Sequence, residues 1–310
     1  METLNYACVI TIENLVHFRR ELLLSTMSNT RWEDARDQLR KIREEQIRDG
    51  LLVVQLWEDT LCDHIHKLGD EMWVVQEQVA IAALDCSRLD IADECREKLN
   101  ANFPHSNRVK RLEGMVHEAA GEYEEALKLY SEILKDDPTY TLARKRQIAI
   151  YKGQNNIEKA IEMLNDYLKT FMTDFDAWME LCDLYLCKQE YSKACFCMEE
   201  LIMSNPQNHL FHQKYAEIKY TQGGIENMES ARAYFGQAAK LNPNSMRAHL
   251  GLLLSSIALS KKDPNNSKYA AWAAQQITDK YQTQETKEQI KETKVLESIQ
   301  NMLAMLTSGN

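Results

Sequence analysis

Apolar and small side chains recur along this chain with the spacing of two helices packed side by side. The pattern is clearest over residues 175–206, which read FDAWMELCDLYLCKQEYSKACFCMEELIMSNP. Its anchor positions follow one another at steps of three, four, nine and twelve: Trp178, Leu181, Tyr185, Ala194 and Pro206. Steps of three and four place side chains on one face of a helix. The segment therefore predicts a helical hairpin whose second helix ends before the proline.

The small residue of this hairpin has a regular period along the chain. Successive position numbers differ by 34 three times and then by 37 once: Ala92, Ala126, Ala160, Ala194 and Ala231. A larger side chain at these positions would force the two helices of a hairpin apart. The period and the anchor spacing are those of the tetratricopeptide repeat, a helix–turn–helix unit of about 34 residues.

The prolines give the same period independently. Their position numbers differ by 34, by twice 34 and by 37: Pro104, Pro138, Pro206 and Pro243. The chain has only 10 Gly and 5 Pro in 310 residues and no alternating strand pattern, so it reads as helical. We therefore predict an all-α fold, a tetratricopeptide-repeat solenoid that winds as a right-handed superhelix with helical N- and C-terminal caps.

The first and last repeats of such an array need capping helices, because an uncovered repeat face is apolar. We predict an atypical N-terminal extension over 1–29, capping helices over 30–72, the repeat array over 73–282, and a C-terminal helix and tail over 283–310. Thr30 and Glu33 form a capping-box pattern that predicts the start of the first capping helix.

An apolar stripe with helical spacing lies near the C-terminus of the sequence: Val295, Ile299, Met302 and Leu306. It predicts either a helix that caps the solenoid or a helix that docks on a partner.

Several positions depart from the common frame. Met172 stands where proline is expected, which predicts a less sharp end to that helix. Three extra residues near Gly223–Gly224 predict a longer turn between the helices of the fifth repeat. Gly114 marks a place where two helices cross closely. The polar segment 260–267, which contains Pro264, predicts a surface loop.

Charge and composition narrow the function classes. The formal net charge is −10 and the pI is near 5.4. Nucleic-acid affinity and adhesion to anionic lipid both require a basic face, so neither is expected. The apolar runs are too short to cross a bilayer, and the first 27 residues do not have the pattern of a signal peptide.

Eight cysteines are spread along the sequence without a CxxC pair. Four of them crowd into one hairpin without the spacing of a zinc site: Cys182, Cys187, Cys195 and Cys197. We interpret them as reduced, structural thiols, which indicates a cytosolic compartment.

No catalytic motif is found in the sequence. It has no GxSxG, no phosphate-binding glycine loop and no HExxH. We therefore predict a protein that is not an enzyme and that has no cofactor and no metal.

The candidate functional feature is a ladder of basic residues in two neighbouring repeats: Lys110, Arg111, Arg144, Lys145 and Arg146. Two pairs of these residues are separated by one repeat period, so they are expected at equivalent points of neighbouring first helices, which line the groove of such a solenoid. The ladder predicts a binding site for an acidic segment of a partner. The competing interpretation is a solvated face paired with its own carboxylates, where each pair contributes about 0–1 kcal/mol.

One familiar ligand of such grooves is excluded by charge. Chaperone adaptors of this class clamp the C-terminal carboxylate of a heat-shock protein with cations from three successive repeats. Among the three successive units that start at Asn107, Thr141 and Phe175, the last has Asp176 and Glu180 at the positions where cations are needed. Like charges brought together cost several kcal/mol, so no carboxylate clamp is predicted.

Particular stretches of the sequence resemble one family. HSNRVKRLEGM, QIAIYKGQNNIEKAIEMLNDYL, AEIKYTQGGIENMESARAYF and KYAAW are similar to subunit 2 of the endoplasmic reticulum membrane protein complex. The resemblance runs from Trp32 through Tyr281 in register and includes the Gly223–Gly224 insertion. Residues 1–29 differ from that family's short, polar start, which points to a lineage-specific extension, a paralogue or an error in the gene model.

The resemblance implies a non-catalytic subunit on the cytosolic side of the endoplasmic reticulum. It implies a helical spiral that cradles the cytosolic ends of membrane subunits and holds a small cytosolic subunit. The assembled complex inserts transmembrane segments, including tail-anchored ones, without consuming nucleotide. The resemblance carries the five cations of the ladder over as candidate subunit contacts. The alternative is a free cytosolic adaptor that binds acidic peptides through its groove.

Overall fold

The structure is a computed structural model that describes residues 32–260 and 263–285, together with positions 301 and 304. Fourteen helices, numbered α1 to α14 below, and several short helical turns make up these residues, and no strand occurs among them. The all-α prediction is therefore confirmed. The predicted N-terminal extension, Thr30 of the capping box and the four residues of the C-terminal stripe lie outside the described residues.

Two helices precede the repeats: α1 is Trp32–Glu44 and α2 is Gly50–Leu56. α2 continues through a π turn, one α-helical turn and a 3-10 turn: Trp57–Leu61, Cys62–His64 and Ile65–Leu68. The carboxylate of Asp49 caps α2 by accepting a hydrogen bond from the Leu52 amide at 3.2 Å. Gly69 follows the last turn with a φ of 56°, which glycine adopts without strain.

The chain divides into two compact units, Met1–Ile150 and Tyr151–Asn310. After α1 and α2, the first unit contains four helices and most of a fifth: α3 Glu71–Asp85, α4 Leu89–Asn102, α5 Asn107–Ala120, α6 Tyr123–Asp136 and α7 Thr141–Gly153. A large buried cluster of this unit joins the capping helices to the first repeat and to α5, and it includes Leu39, Trp57, Val79 and Leu112.

The second unit continues the same helix–turn–helix order: α8 Ile157–Thr170, α9 Phe175–Cys187, α10 Tyr191–Ser204, α11 His209–Gln222, α12 Ile225–Leu241, α13 Met246–Ser260 and α14 Ser267–Glu285. Phe235, Leu253 and Ile277 form part of the buried cluster that joins its last helices.

The small positions behave as the period predicts. All five periodic alanines are fully buried: Ala92, Ala126, Ala160, Ala194 and Ala231. Gly114 also lies at a close contact, because a Cβ placed there would come within 2.6 Å of the Tyr130 ring. The burial of the periodic alanines and the close contact at Gly114 agree with small residues being placed where two helices pack together.

The expectation of a less sharp helix end at Met172 is wrong. α8 ends at Thr170, which is the same register as the end of α6 at Asp136, one repeat period earlier. The Asp174 carboxylate accepts a hydrogen bond from the Ala177 amide at 3.1 Å and so starts the next helix at Phe175. This N-cap fixes the turn without a proline.

The expectation of a longer turn in the fifth repeat is also wrong. Only Gly223 and Gly224 separate α11 from α12, and their φ angles of 74° and 82° allow the tight reversal. The three extra residues lengthen the helix instead, since α12 has 17 residues and α10 has 14.

The polar segment 260–267 is not wholly a surface loop. Residues 261 and 262 lie outside the described residues, and Pro264–Asn266 forms a 3-10 turn. Asn266 is only 4% exposed, and its side-chain oxygen accepts a hydrogen bond from the Arg232 guanidinium. The segment is therefore anchored to α12 by a buried polar contact.

Candidate partner-binding groove

The five cations of the ladder lie on α5 and α7, but their side chains do not form one surface. The Lys110 ammonium lies 3.5 Å from the Asp136 carboxylate, and the Arg144 Nε donates to the Pro138 carbonyl at 3.1 Å. Asp136 is the last residue of α6 and Pro138 lies in the turn that follows, so both contacts are made where α6 ends. Lys110 and Arg144 thus occupy equivalent positions of two repeats, and neither lines the cleft that the other three cations share.

Arg144 belongs to a row of donors that the sequence analysis missed. At the fourth position of a first helix, a side-chain N–H donates to the carbonyl six residues earlier. The other three members are Trp178 to Met172 at 2.9 Å, His212 to Pro206 at 2.8 Å and His249 to Pro243 at 2.9 Å. A carbonyl only accepts, so Nε2 of each of these histidines carries the proton. The row gives each turn carbonyl a partner, which ties the turn to the helix that follows it.

The remaining cations of the ladder share a cleft of about 250 Å³ in the first unit. Arg111, Lys145 and Arg146 line it together with four apolar residues: Ile81, Met115, Leu142 and Ala149. Ile81, Met115 and Ala149 follow one another at the repeat period, as do Arg111 and Lys145. The cleft therefore combines apolar side chains from the first helices α3, α5 and α7 with cations from α5 and α7.

Arg111 is held in place by a carboxylate of the preceding repeat. Its side chain is 13% exposed, and its Nη2 donates to Glu77 at 2.9 Å. Glu77 also accepts from the Arg108 guanidinium. The Nε of Arg111 is buried and has no hydrogen-bond partner among the described residues.

Arg146 pairs with a carboxylate that is only 15% exposed. Its Nη1 lies 3.3 Å from Glu118, which also accepts a hydrogen bond from the Tyr130 hydroxyl. Burial raises the pKa of Glu118, and burial beside that carboxylate raises the pKa of Tyr130. Arg146 keeps 40% of its side chain exposed, so it offers part of its guanidinium to the cleft.

A second, more apolar cleft of about 180 Å³ lies between α3, α4 and α5. Trp73 and Phe103 meet edge to face there with their ring centroids 5.3 Å apart. Val74 and Phe103 are 41% and 42% exposed, so apolar surface is open to solvent at this cleft. Glu77 and Arg108 form the polar part of its wall.

The chaperone-clamp positions carry carboxylates in the second unit. Asp176 is exposed at the start of α9, and Glu180 accepts a hydrogen bond from the Lys152 ammonium. A ligand carboxylate would meet negative charge at both positions.

Three of the four thiols in the cysteine-rich hairpin are packed inside it. Cys182, Cys195 and Cys197 are buried, whereas Cys187 is exposed. Burial raises the pKa of the Cys182 and Cys197 thiols to about 12, so both stay protonated near neutral pH. Over residues 32–260 and 263–285, no group of three or more His, Cys, Asp or Glu is placed to hold a metal ion.

None of the helices in these ranges is both long enough and apolar enough to cross a membrane.

A family model described as the EMC2 TPR-like repeat domain matches residues 97–225. This range begins in the second helix of the first repeat and includes both basic runs of the ladder.

Known relatives match most of the chain. ER membrane protein complex subunit 2-A of Xenopus laevis is 49% identical over 266 residues, covering 84% of this chain and 90% of that protein. ER membrane protein complex subunit 2 of Dictyostelium discoideum is 34% identical over 270 residues, covering 81% and 84%.

A solved structure supports the fold. The C-terminal part of a TPR repeat-containing protein from Cytophaga hutchinsonii has a TM-score of 0.55 at 14% identity, and the match covers 80% of this chain and 94% of that one. At this identity the likeness shows the fold alone.

Proposed function

Because the chain belongs to the family of ER membrane protein complex subunit 2, we propose that it is a non-catalytic scaffold subunit of that complex. It binds peripherally on the cytoplasmic side of the endoplasmic reticulum membrane, where it holds the cytosolic ends of membrane subunits and a small cytosolic subunit. In this role it supports energy-independent insertion of transmembrane segments, including those of tail-anchored and multi-pass proteins.

The observation that carries this proposal is the length of the match to the relatives, which extends across both compact units. A sequence match that long covers several repeats, as expected for a scaffold that contacts several partners. The buried, protonated thiols of the cysteine-rich hairpin support a non-catalytic role, since reactive cysteines have lowered pKa values.

Within this proposal, the basic cleft is the candidate subunit contact. Arg111, Lys145 and Arg146 line it and contact the partner directly. Lys110 and Arg144 were predicted as contacts too, and their bonds to Asp136 and to the Pro138 carbonyl support a role in fixing the turn after α6. The partner segment is acidic, because it meets three cations in a protein whose net charge is negative.

Membrane fractionation tests the role. A scaffold on the cytoplasmic side co-sediments with endoplasmic reticulum membranes and is released by an alkaline wash without detergent. If the chain is recovered as a soluble monomer from gently lysed cells, the scaffold role is wrong. The alternative role, a free adaptor for acidic peptides, is favoured by the same basic cleft and predicts that soluble outcome.

Charge reversal tests the contact. Lys145→Glu combined with Arg146→Glu should weaken recovery of the membrane subunits with the chain, while its helical circular dichroism is unchanged. Lys145→Glu alone spares the Arg146–Glu118 pair, and an unchanged circular dichroism spectrum of this variant would separate the contact from folding. Lys135→Glu, at an exposed lysine of α6 outside the cleft, is the matched control. Unchanged recovery of the membrane subunits with both Lys145 variants would remove the cleft from the proposal.

A further inference from the structure

The apolar cleft beside Trp73 has no role in the ladder, yet it shares α3 and α5 with the basic cleft. Its walls come from α3, α4 and α5, and the basic cleft takes its walls from α3, α5 and α7. Glu77 lines the apolar cleft and Ile81 lines the basic one. Four residues on a helix correspond to a rise of about 6 Å, which two extended peptide residues span.

Cations outnumber carboxylates among the side chains that line the two clefts, and Glu118, outside both linings, pairs with Arg146. Among the described residues that line them, the cations are Arg108, Arg111, Lys145 and Arg146, and the carboxylate is Glu77. The rest of the chain is acidic enough to give a net charge of −10. A local excess of cations in an acidic protein selects acidic partners and disfavours basic ones.

The apolar cleft can bury an apolar side chain of the partner, which the basic cleft alone does not explain. Val74 and Phe103 leave apolar surface open to solvent at this cleft, and Leu112, which also lines it, is fully buried. Burying one large apolar side chain in such a cleft stabilises a complex enough to change affinity by about 10-fold or more. Aromatic anchors in pockets are the usual centres of binding energy in interfaces.

We infer that the two clefts form one bipartite site for an extended acidic segment with a single large apolar anchor. The anchor enters the apolar cleft beside Trp73, and carboxylates two to three residues away pair with Arg111, Lys145 and Arg146. This inference rests on the proposed partner contact and adds the apolar cleft and the chemistry of the ligand.

Glu77 sits between the clefts and competes with the ligand. It pairs with both Arg108 and Arg111, and its side chain is 14% exposed. An acidic ligand must share these cations with Glu77. Glu77→Gln keeps a hydrogen-bond acceptor for Arg111 and removes the charge, so it should tighten binding of acidic ligands several-fold.

Fluorescence polarisation with the purified full-length chain tests the site. Three short fluorescein-labelled peptides are compared: one with phenylalanine followed by two spacer residues and three acidic residues, one with serine in place of phenylalanine, and one with glutamine in place of the acids. The first should bind about 10-fold more tightly than either of the others. Raising the salt concentration should weaken the two acidic peptides and leave the contribution of phenylalanine nearly unchanged.

Two variants assign the contributions to the two clefts. Val74→Gln should bring the phenylalanine peptide down to the affinity of the serine peptide without changing the latter. Leu89→Gln, at a residue of α4 that is 38% exposed and does not line either cleft, should change nothing. Lys145→Gln should weaken both acidic peptides, whereas Lys135→Gln should not.

Equal affinities for the phenylalanine and serine peptides would overturn the bipartite site and leave a purely basic groove. If the folded parent chain binds none of the three peptides, the site is overturned entirely. Neither result bears on membrane co-sedimentation, so a failure of this inference is distinguishable from a failure of the scaffold role.

Discussion

At the scale of single residues, the contact between Gly114 and Tyr130 links the fold to the basic cleft. The absence of a Cβ at Gly114 lets the Tyr130 ring lie against α5. That position lets the Tyr130 hydroxyl reach Glu118, and Glu118 in turn holds Arg146. A helix contact inside one repeat thus positions a cation that belongs to the next.

We predict that Gly114→Ala lowers the free energy of unfolding by about 1–3 kcal/mol, because the added methyl group would overlap the Tyr130 ring at 2.6 Å. Urea denaturation followed by circular dichroism measures this loss. Gly153→Ala is the matched control, since a Cβ there has no neighbour within 4 Å. Equal midpoints for Gly114→Ala and the parent would show that this helix contact is not tight.

A second residue-scale prediction concerns pH. His249 donates from Nε2 to the Pro243 carbonyl, and the Lys280 Nζ lies 3.2 Å from the same nitrogen. The other ring nitrogen of His249, Nδ1, is buried without a partner among the described residues. Burial lowers the pKa of His249 below its ordinary value of 6.5. Folding therefore favours neutral His249, so its contribution to stability is complete above pH 6.5 and is lost as the pH falls below it.

The test compares thermal midpoints at about pH 7.5 and about pH 5.5. His249→Gln retains an N–H donor for the Pro243 carbonyl and removes the titrating ring. The variant should lose less stability than the parent between these two pH values. An identical loss in both proteins would mean that His249 does not contribute to the pH dependence.

Some residue-scale features could be predicted from the sequence and others could not. The buried alanines were predictable because one residue type recurs at one period. The row of turn donors was missed because an arginine, a tryptophan and two histidines fill the same position. Only the shared N–H group repeats there, and a search for repeated residue types does not detect it.

At the scale of helices, the turn between repeats is fixed by several interchangeable devices. The turn before α9 lacks proline, yet Asp174 caps that helix and the Trp178 indole donates to the Met172 carbonyl at 2.9 Å. The Gly223–Gly224 turn uses positive φ angles instead. Predictions based on a missing proline or on inserted residues failed because other contacts fix the same turn and because a helix accepts extra residues.

We predict that Trp178→Phe lowers the free energy of unfolding by about 0.5–1.5 kcal/mol through loss of its hydrogen bond to the Met172 carbonyl. Urea denaturation provides the measurement. Trp272 lies on α14 and is 48% exposed. Trp272→Phe is therefore the control for the change from an indole ring to a phenyl ring. If the two variants are equally stable, the turn does not depend on the indole donor.

At the scale of the whole molecule, an acidic chain has two clefts in which the lining cations outnumber the lining carboxylates. The chain is acidic overall, and the cations of the two clefts collect on α5 and α7. The basic ladder was visible in the sequence because Arg111 and Lys145 keep the repeat period. Its division into groove cations and turn contacts required the structure, since Lys110 and Arg144 keep that period equally well.

The proposed cytoplasmic location makes a prediction about Asn265. Asn265, Asn266 and Ser267 form a glycosylation sequon, and Asn265 is exposed in the 3-10 turn. A cytoplasmic chain does not meet the lumenal glycosylation machinery, so Asn265 should carry no glycan. Treatment of the membrane-bound chain with an endoglycosidase should not change its mobility on a gel. A shift that Asn265→Gln abolishes would place this part of the chain in the lumen.

The most direct test of the scaffold role is quantitative mass spectrometry of a tagged chain purified from detergent-solubilised endoplasmic reticulum membranes. The account predicts that the membrane-embedded subunits of the complex and a small cytosolic subunit are recovered in amounts similar to that of the chain. Recovery of the chain alone, or with soluble proteins but no membrane subunits, would contradict it.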